Sequence, residues 1–137
     1  MEGMKEAVDY VIFGILGLMG FVALWFSIER VLFLRRYQPE HYLTEEERSI
    51  ALTKNFTTLY IIYSNAPYVG LLGTVIGIMI TFYDMGATGA IDAGQIMTGL
   101  SLALKATALG LVVAIQTLIA YNGLQRAMNV AAQRKVT

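Results

Sequence analysis

Asn65–Tyr83 reads NAPYVGLLGTVIGIMITFY, a run without a single charged residue. A helix crosses the ~30 Å hydrocarbon core of a bilayer with about 20 such residues. Within the run, Gly70, Thr74, Gly77 and Thr81 recur at spacings of four, three and four. At about 100° per residue they fall within roughly 60° of one another, on one helix face. Small residues there let two backbones approach closely, and threonine hydroxyls hydrogen-bond between helices where water is absent. Gly73 adds a further small residue beside the stripe. The stretch predicts a transmembrane helix with one packed, hydroxyl-bearing face.

Working outward, the uncharged run begins at Asn55, and two others flank it: Tyr10–Ile28, and Ala93–Gln125 interrupted only by Lys105. Together they predict an all-α membrane protein, a single domain over 1–137 with three transmembrane helices. The spans are placed at about 8–28, 66–84 and 95–122, with a helical extension preceding the second near Pro67, where the membrane part begins or bends. Composition agrees: 15% of residues are charged, against about 25% in soluble domains. The first span exceeds the ~7–15-residue apolar core of a signal peptide, and no small-x-small site follows it, so it is expected to be retained. Gly14, Gly17 and Gly20 inside it predict close helix packing.

Ten cations balance ten anions, leaving no surplus to neutralise nucleic-acid phosphates. Their placement sets the topology. Arg30, Arg35, Arg36, Arg48 and Lys54 lie in the 29–54 connection, and Arg126, Arg134 and Lys135 in the 123–137 tail. Opposite them stands only Lys5. This bias puts the connection and the C-terminus in the cytoplasm, and the N-terminus and the 85–94 loop outside. Asp84 and Asp92 near that loop are expected at an outer mouth, raising the local cation concentration.

In the connection, Pro39 and His41 mark a break before Thr44-Glu45-Glu46-Glu47, a capping box. The helix it starts is expected to run on into the second span. His41 is the only histidine and there is no cysteine, which leaves no nucleophile–base pair and no metal-ligand set. No catalysis and no cofactor are expected.

Lys105 is the one charge inside a span away from its ends. Near mid-membrane an ammonium costs roughly 3 kcal/mol even on lenient insertion scales. Thr98, Ser101, Lys105 and Gln116 share one sector of the third helix, while Ala103, Thr107, Gly110 and Ala114 share another. Thr107 is about 200° from Lys105. A helix with two polar sides offers neither to lipid, so oligomerisation is expected, with Lys105 facing a partner, a wet cavity or the bundle interior.

At these residues the chain resembles the ExbB/TolQ proton-channel family, with MotA more distant. The motifs are Asn65-Ala66-Pro67-Tyr68-Val69-Gly70-Leu71-Leu72-Gly73-Thr74-Val75-Ile76-Gly77-Ile78-Met79 and Ala106-Thr107-Ala108-Leu109-Gly110-Leu111-Val112-Val113-Ala114-Ile115, then Ala120-Tyr121-Asn122 and Ser27-Ile28-Glu29-Arg30. The resemblance implies a homopentameric ring in the bacterial inner membrane. Its second and third helices would line a pore holding an ExbD/TolR-like single-span partner with a transmembrane aspartate. Proton flow would drive a TonB- or TolA-like protein. Thr74 and Thr107 match the family's pore threonines, with Thr81 on the same stripe; Gly70, Gly73, Gly77, Ala103 and Gly110 would be packing residues. The chain departs from the pattern at Leu102, where the family has glutamate, and at Gln116, where it has proline.

Two other functions compete at this point. A non-conducting assembly scaffold would use the same small-residue faces. A small multidrug-type transporter is disfavoured because no carboxylate falls inside a span. ExbB-like nutrient duty and TolQ-like envelope duty both remain open.

Overall fold

The computed structural model describes residues 2–133, and Arg134 and Lys135 of the expected cytoplasmic tail lie outside them. Four helices follow in order: α1 (Glu2–Arg36), α2 (Glu45–Thr53), α3 (Phe56–Thr88) and α4 (Ala93–Gln133), with a 3-10 turn at Pro39–His41 between the first two. Three helices are long and apolar enough to cross a membrane.

The helix begun at Glu45 does not run into the second span, contrary to expectation. Lys54 leaves helical geometry and Asn55 takes a left-handed conformation, φ 70°. Asparagine tolerates that region better than most residues, and α1 supplies the partners that hold it there. The Asn55 side-chain amide donates to Glu29 Oε2 at 3.1 Å, and Arg30 Nη1 donates to the terminal α2 carbonyls of Ala51 at 2.6 Å and Leu52 at 3.3 Å. At the other end of α2, the Glu47 amide donates to Thr44 Oγ1 at 3.1 Å. The reciprocal arm of the box lands one residue early, on the Leu43 amide.

α3 runs through Pro67, although that residue has no N–H to give the Tyr63 carbonyl. It ends at Gly89, whose positive φ of 72° lets its amide reach back to the Met85 carbonyl at 2.9 Å. Helix therefore extends past the expected end of the second span, and only Gly89–Asp92 joins α3 to α4.

α3 and α4 form an antiparallel hairpin, and α1 packs against both. Ile12, Leu16 and Ala23 of α1 meet Ile62 and Ala66 of α3 and Ala106 and Val113 of α4 in the core. Leu52 fastens α2 to Met128 and Ala131 of α4. Outside, Phe21, Trp25, Leu72, Met79 and Ile119 are exposed, an apolar exterior of the kind that faces lipid or another chain. Within the chain, of the α1 glycines expected to pack closely, Gly20 has a neighbour, its Cβ position 3.5 Å from Val113, while Gly14 and Gly17 have nothing within 4 Å. They lie on the side of α1 turned away from Ile12 and Leu16.

Candidate functional site

The α3–α4 contact is built from its small residues. A Cβ at Gly70 would stand 2.6 Å from the Ala106 carbonyl oxygen, and one at Gly110 2.6 Å from that of Ala66. At Gly77 it would meet Ala103 Cβ at 3.2 Å, and at Gly73 both Ile12 Cγ2 at 3.0 Å and Ala106 Cβ at 3.1 Å. Gly73 thus seats α1 as well as α4.

This approach brings Thr74 and Thr107 into direct hydroxyl–hydroxyl contact. Thr74 is buried and Thr107 half-buried. Thr74 Oγ1 also lies 2.8 Å from the Ala103 carbonyl and 3.3 Å from that of Gly70, which Thr107 Oγ1 approaches at 3.4 Å. Each hydroxyl has one hydrogen and two lone pairs. The shortest carbonyl contact claims the Thr74 hydrogen, so Thr107 donates to Thr74 and keeps a lone pair free. Turning both hydroxyls gives the reverse order, Thr74 to Thr107 to Gly70. The pair therefore has two donor–acceptor arrangements, as a proton relay requires.

Thr107 sits on a flank of α4 turned about 120° from the α1-facing Val113. Leu104, Leu111 and Ile115 stand exposed on the same flank. Farther along, Asn122, Gln125, Arg126, Asn129 and Gln133 continue it as an exposed polar surface. One side of α4 is thus apolar, then polar, with the threonine hydroxyl at its edge.

Thr81 is buried and donates to the Gly77 carbonyl at 3.0 Å, not to another hydroxyl. It borders a second cavity, of about 320 Å³, with Asp84, Gln95, Thr98, Gly99 and Leu102, and with Glu6 and Asp9 of α1. The two aspartates expected at an outer mouth have different surroundings. Asp84 lines this cavity; Asp92 caps α4, its Oδ1 accepting from the Gly94 amide at 2.9 Å and from Gln95 at 3.4 Å.

Lys105 stands outside the packed hairpin. It is exposed and, among the described residues, makes no hydrogen bond or ion pair.

Three contributors escaped the sequence reading. Asp9 and Glu6 line the outer cavity, and Asp9 precedes buried Ile12 by three and Leu16 by seven residues, the spacing of one helix face. Arg30, 1% exposed, is clamped by both Glu29 oxygens at 2.5 and 2.6 Å and stacks over the Phe33 ring at 4.3 Å. Its hydrogen bond holds the Glu29 carboxyl below its ordinary range, with burial pulling the other way.

Comparison with known proteins gives a family match and close relatives. The model of the MotA/TolQ/ExbB proton channel family matches residues 35–136. The biopolymer transport protein ExbB of Helicobacter pylori strain J99 is 57% identical over 134 residues, covering 98% of this chain and 92% of the relative. That of Aquifex aeolicus is 51% identical, covering 92% and 85%. A putative biopolymer transport protein, ExbB-like 2, of Helicobacter pylori strain 26695 is 47% identical, covering 90% and 82%.

Proposed function

The chain belongs to the MotA/TolQ/ExbB proton channel family, and we propose that it is the ring-forming channel subunit of an ExbB-type energising complex in the bacterial inner membrane. Five copies surround the transmembrane helix of an ExbD-like partner, with the N-terminus outside and the C-terminus cytoplasmic. Protons crossing the complex drive a TonB-like protein that powers transport across the outer membrane. The ExbB names of its relatives favour this duty over TolQ-like envelope maintenance.

The observation that carries the reading is the contact between Thr74 and Thr107. It sets a hydroxyl with a free lone pair at the edge of an otherwise apolar strip of α4. A carboxylate on a partner helix lying along that strip exchanges its proton with this pair, the hydroxyls serving as both donor and acceptor. Thr81 and Asp84 stand farther out on α3, and the polar residues of α4 from Asn122 onward form the inner vestibule.

A deletion strain tests the duty. It is expected to lose uptake of nutrients that enter through energised outer-membrane transporters, to keep its resistance to detergents, and to regain uptake when the wild-type chain is supplied. Detergent sensitivity with normal uptake would instead assign the chain to envelope integrity.

A further inference from the structure

We propose that in the bilayer Lys105 folds back over Leu102 into the outer cavity of its own chain and forms an ion pair with Asp9, joining α4 to α1 inside the membrane. The inference rests on one part of the proposed function, that α1, α3 and α4 span a bilayer, and on nothing about proton flow.

The helix register brings the two residues to one level. Gly77 lies opposite Ala103, and Gly73 lies opposite Ala106 and also against Ile12 of α1. Lys105 is therefore level with the α3 turn between Gly73 and Gly77. Asp9 lies one turn outward of Ile12, roughly 4.5 Å at ~1.5 Å per residue, and so comes within about a turn of the same level.

Direction agrees with level. Helical side chains lean toward the N-terminus of their helix, which on α4 is the outer end. Leu102, one turn before Lys105 and about 60° nearer α1, already forms the wall of the cavity that Asp9, Glu6 and Asp84 line. In the isolated chain Lys105 points away from the bundle. In a membrane that direction holds hydrocarbon or a neighbouring helix, and in hydrocarbon a lone ammonium is costly. The cavity beside it gathers carboxylates from α1 and α3 and, among the described residues lining it, has no cation. Bringing the ammonium in relieves both. Asp9 is the closest of the three in level; Asp84 lies nine residues outward of Val75, the α3 residue level with Lys105, or roughly 13 Å.

The chain has no cysteine, so Lys105→Cys creates a unique thiol in folded, nanodisc-embedded protein. Attaching an aminoethyl group by a thiosulfonate reagent restores a cation at nearly lysine length, whereas the methyl reagent adds bulk without charge. The expected result is a thermal midpoint several degrees higher with aminoethyl than with methyl, a difference that disappears in Asp9→Asn. An equal response to both reagents, or a charge benefit that survives Asp9→Asn, would overturn the assignment. The exchanged pair Lys105→Asp with Asp9→Lys in one chain should recover the midpoint that each single exchange loses. Equal recovery when the two single exchanges are carried on separate, co-expressed chains would place the pair between copies and overturn the intrachain assignment.

Discussion

Arg30 on α1 donates to the Ala51 carbonyl at the end of α2, 2.6 Å away and 21 residues along the chain. A single guanidinium thus holds both the first helix and the break before α3, with its charge balanced by Glu29. Arg30→Ala should leave terminal α2 carbonyls unsatisfied and cost about 2–4 kcal/mol, in line with losing one partner of a buried charged network. Lys should rescue little, because the planar fork that grips Glu29 is lost. Thermal midpoints of the three proteins in detergent check this.

Glu29 makes the same clamp sensitive to acid. Its folded pKa is depressed below the ordinary 4.5, chiefly by the Arg30 hydrogen bond. Stability from this group is therefore fully present above about pH 4.5 and is lost as pH falls through the lower folded value. Wild-type midpoints should drop more steeply below that pH than those of Glu29→Gln, whose side chain does not titrate. Parallel curves would contradict the linkage.

The glycines should differ sharply among themselves. Gly70→Ala drives a Cβ into the backbone oxygen of Ala106, and backbone cannot swing aside. A loss of about 3 kcal/mol or failure to assemble is expected, at the upper end of overpacking costs. Gly77→Ala meets the Ala103 methyl at 3.2 Å and its Cα at 3.8 Å and should cost about 1 kcal/mol. Gly14→Ala meets nothing within the chain and should leave its folding intact. Native mass spectrometry and thermal melts of the three variants give the ranking.

Asp84 and Asp92 should part company. Asp92→Ala removes a helix cap and should cost about 1 kcal/mol without changing proton flux. Asp84→Asn removes charge from the outer cavity and should lower flux at low salt but not at high salt, where screening already removes the benefit. Liposome flux at two ionic strengths separates them.

Much of the fold was legible in the charge pattern, because long uncharged runs have few fates other than spanning or burial. The hydroxyl pair was legible in part: spacing placed Thr74 and Thr107 each on a small-residue face. What the sequence could not display were partners that only tertiary packing selects. The break at Asn55 depends on Arg30 and Glu29, more than twenty residues earlier in the chain. The outer cavity joins Asp9 to Leu102, two positions that no local periodicity relates. Asp92 accepts from amides two and three residues on, a local cap pattern that spacing alone can display.

The central claim, that the Thr74–Thr107 pair passes protons, is tested most directly by Thr107→Val. Valine keeps the shape and removes the hydroxyl, while Thr74 retains its 2.8 Å bond to the Ala103 carbonyl, so the helices stay locked. The variant purified with its single-span partner and placed in liposomes should give a normal yield of complex and proton flux reduced at least about tenfold, the effect of raising the barrier by ~1.4 kcal/mol or more. Wild-type flux through an intact Thr107→Val complex would contradict the account.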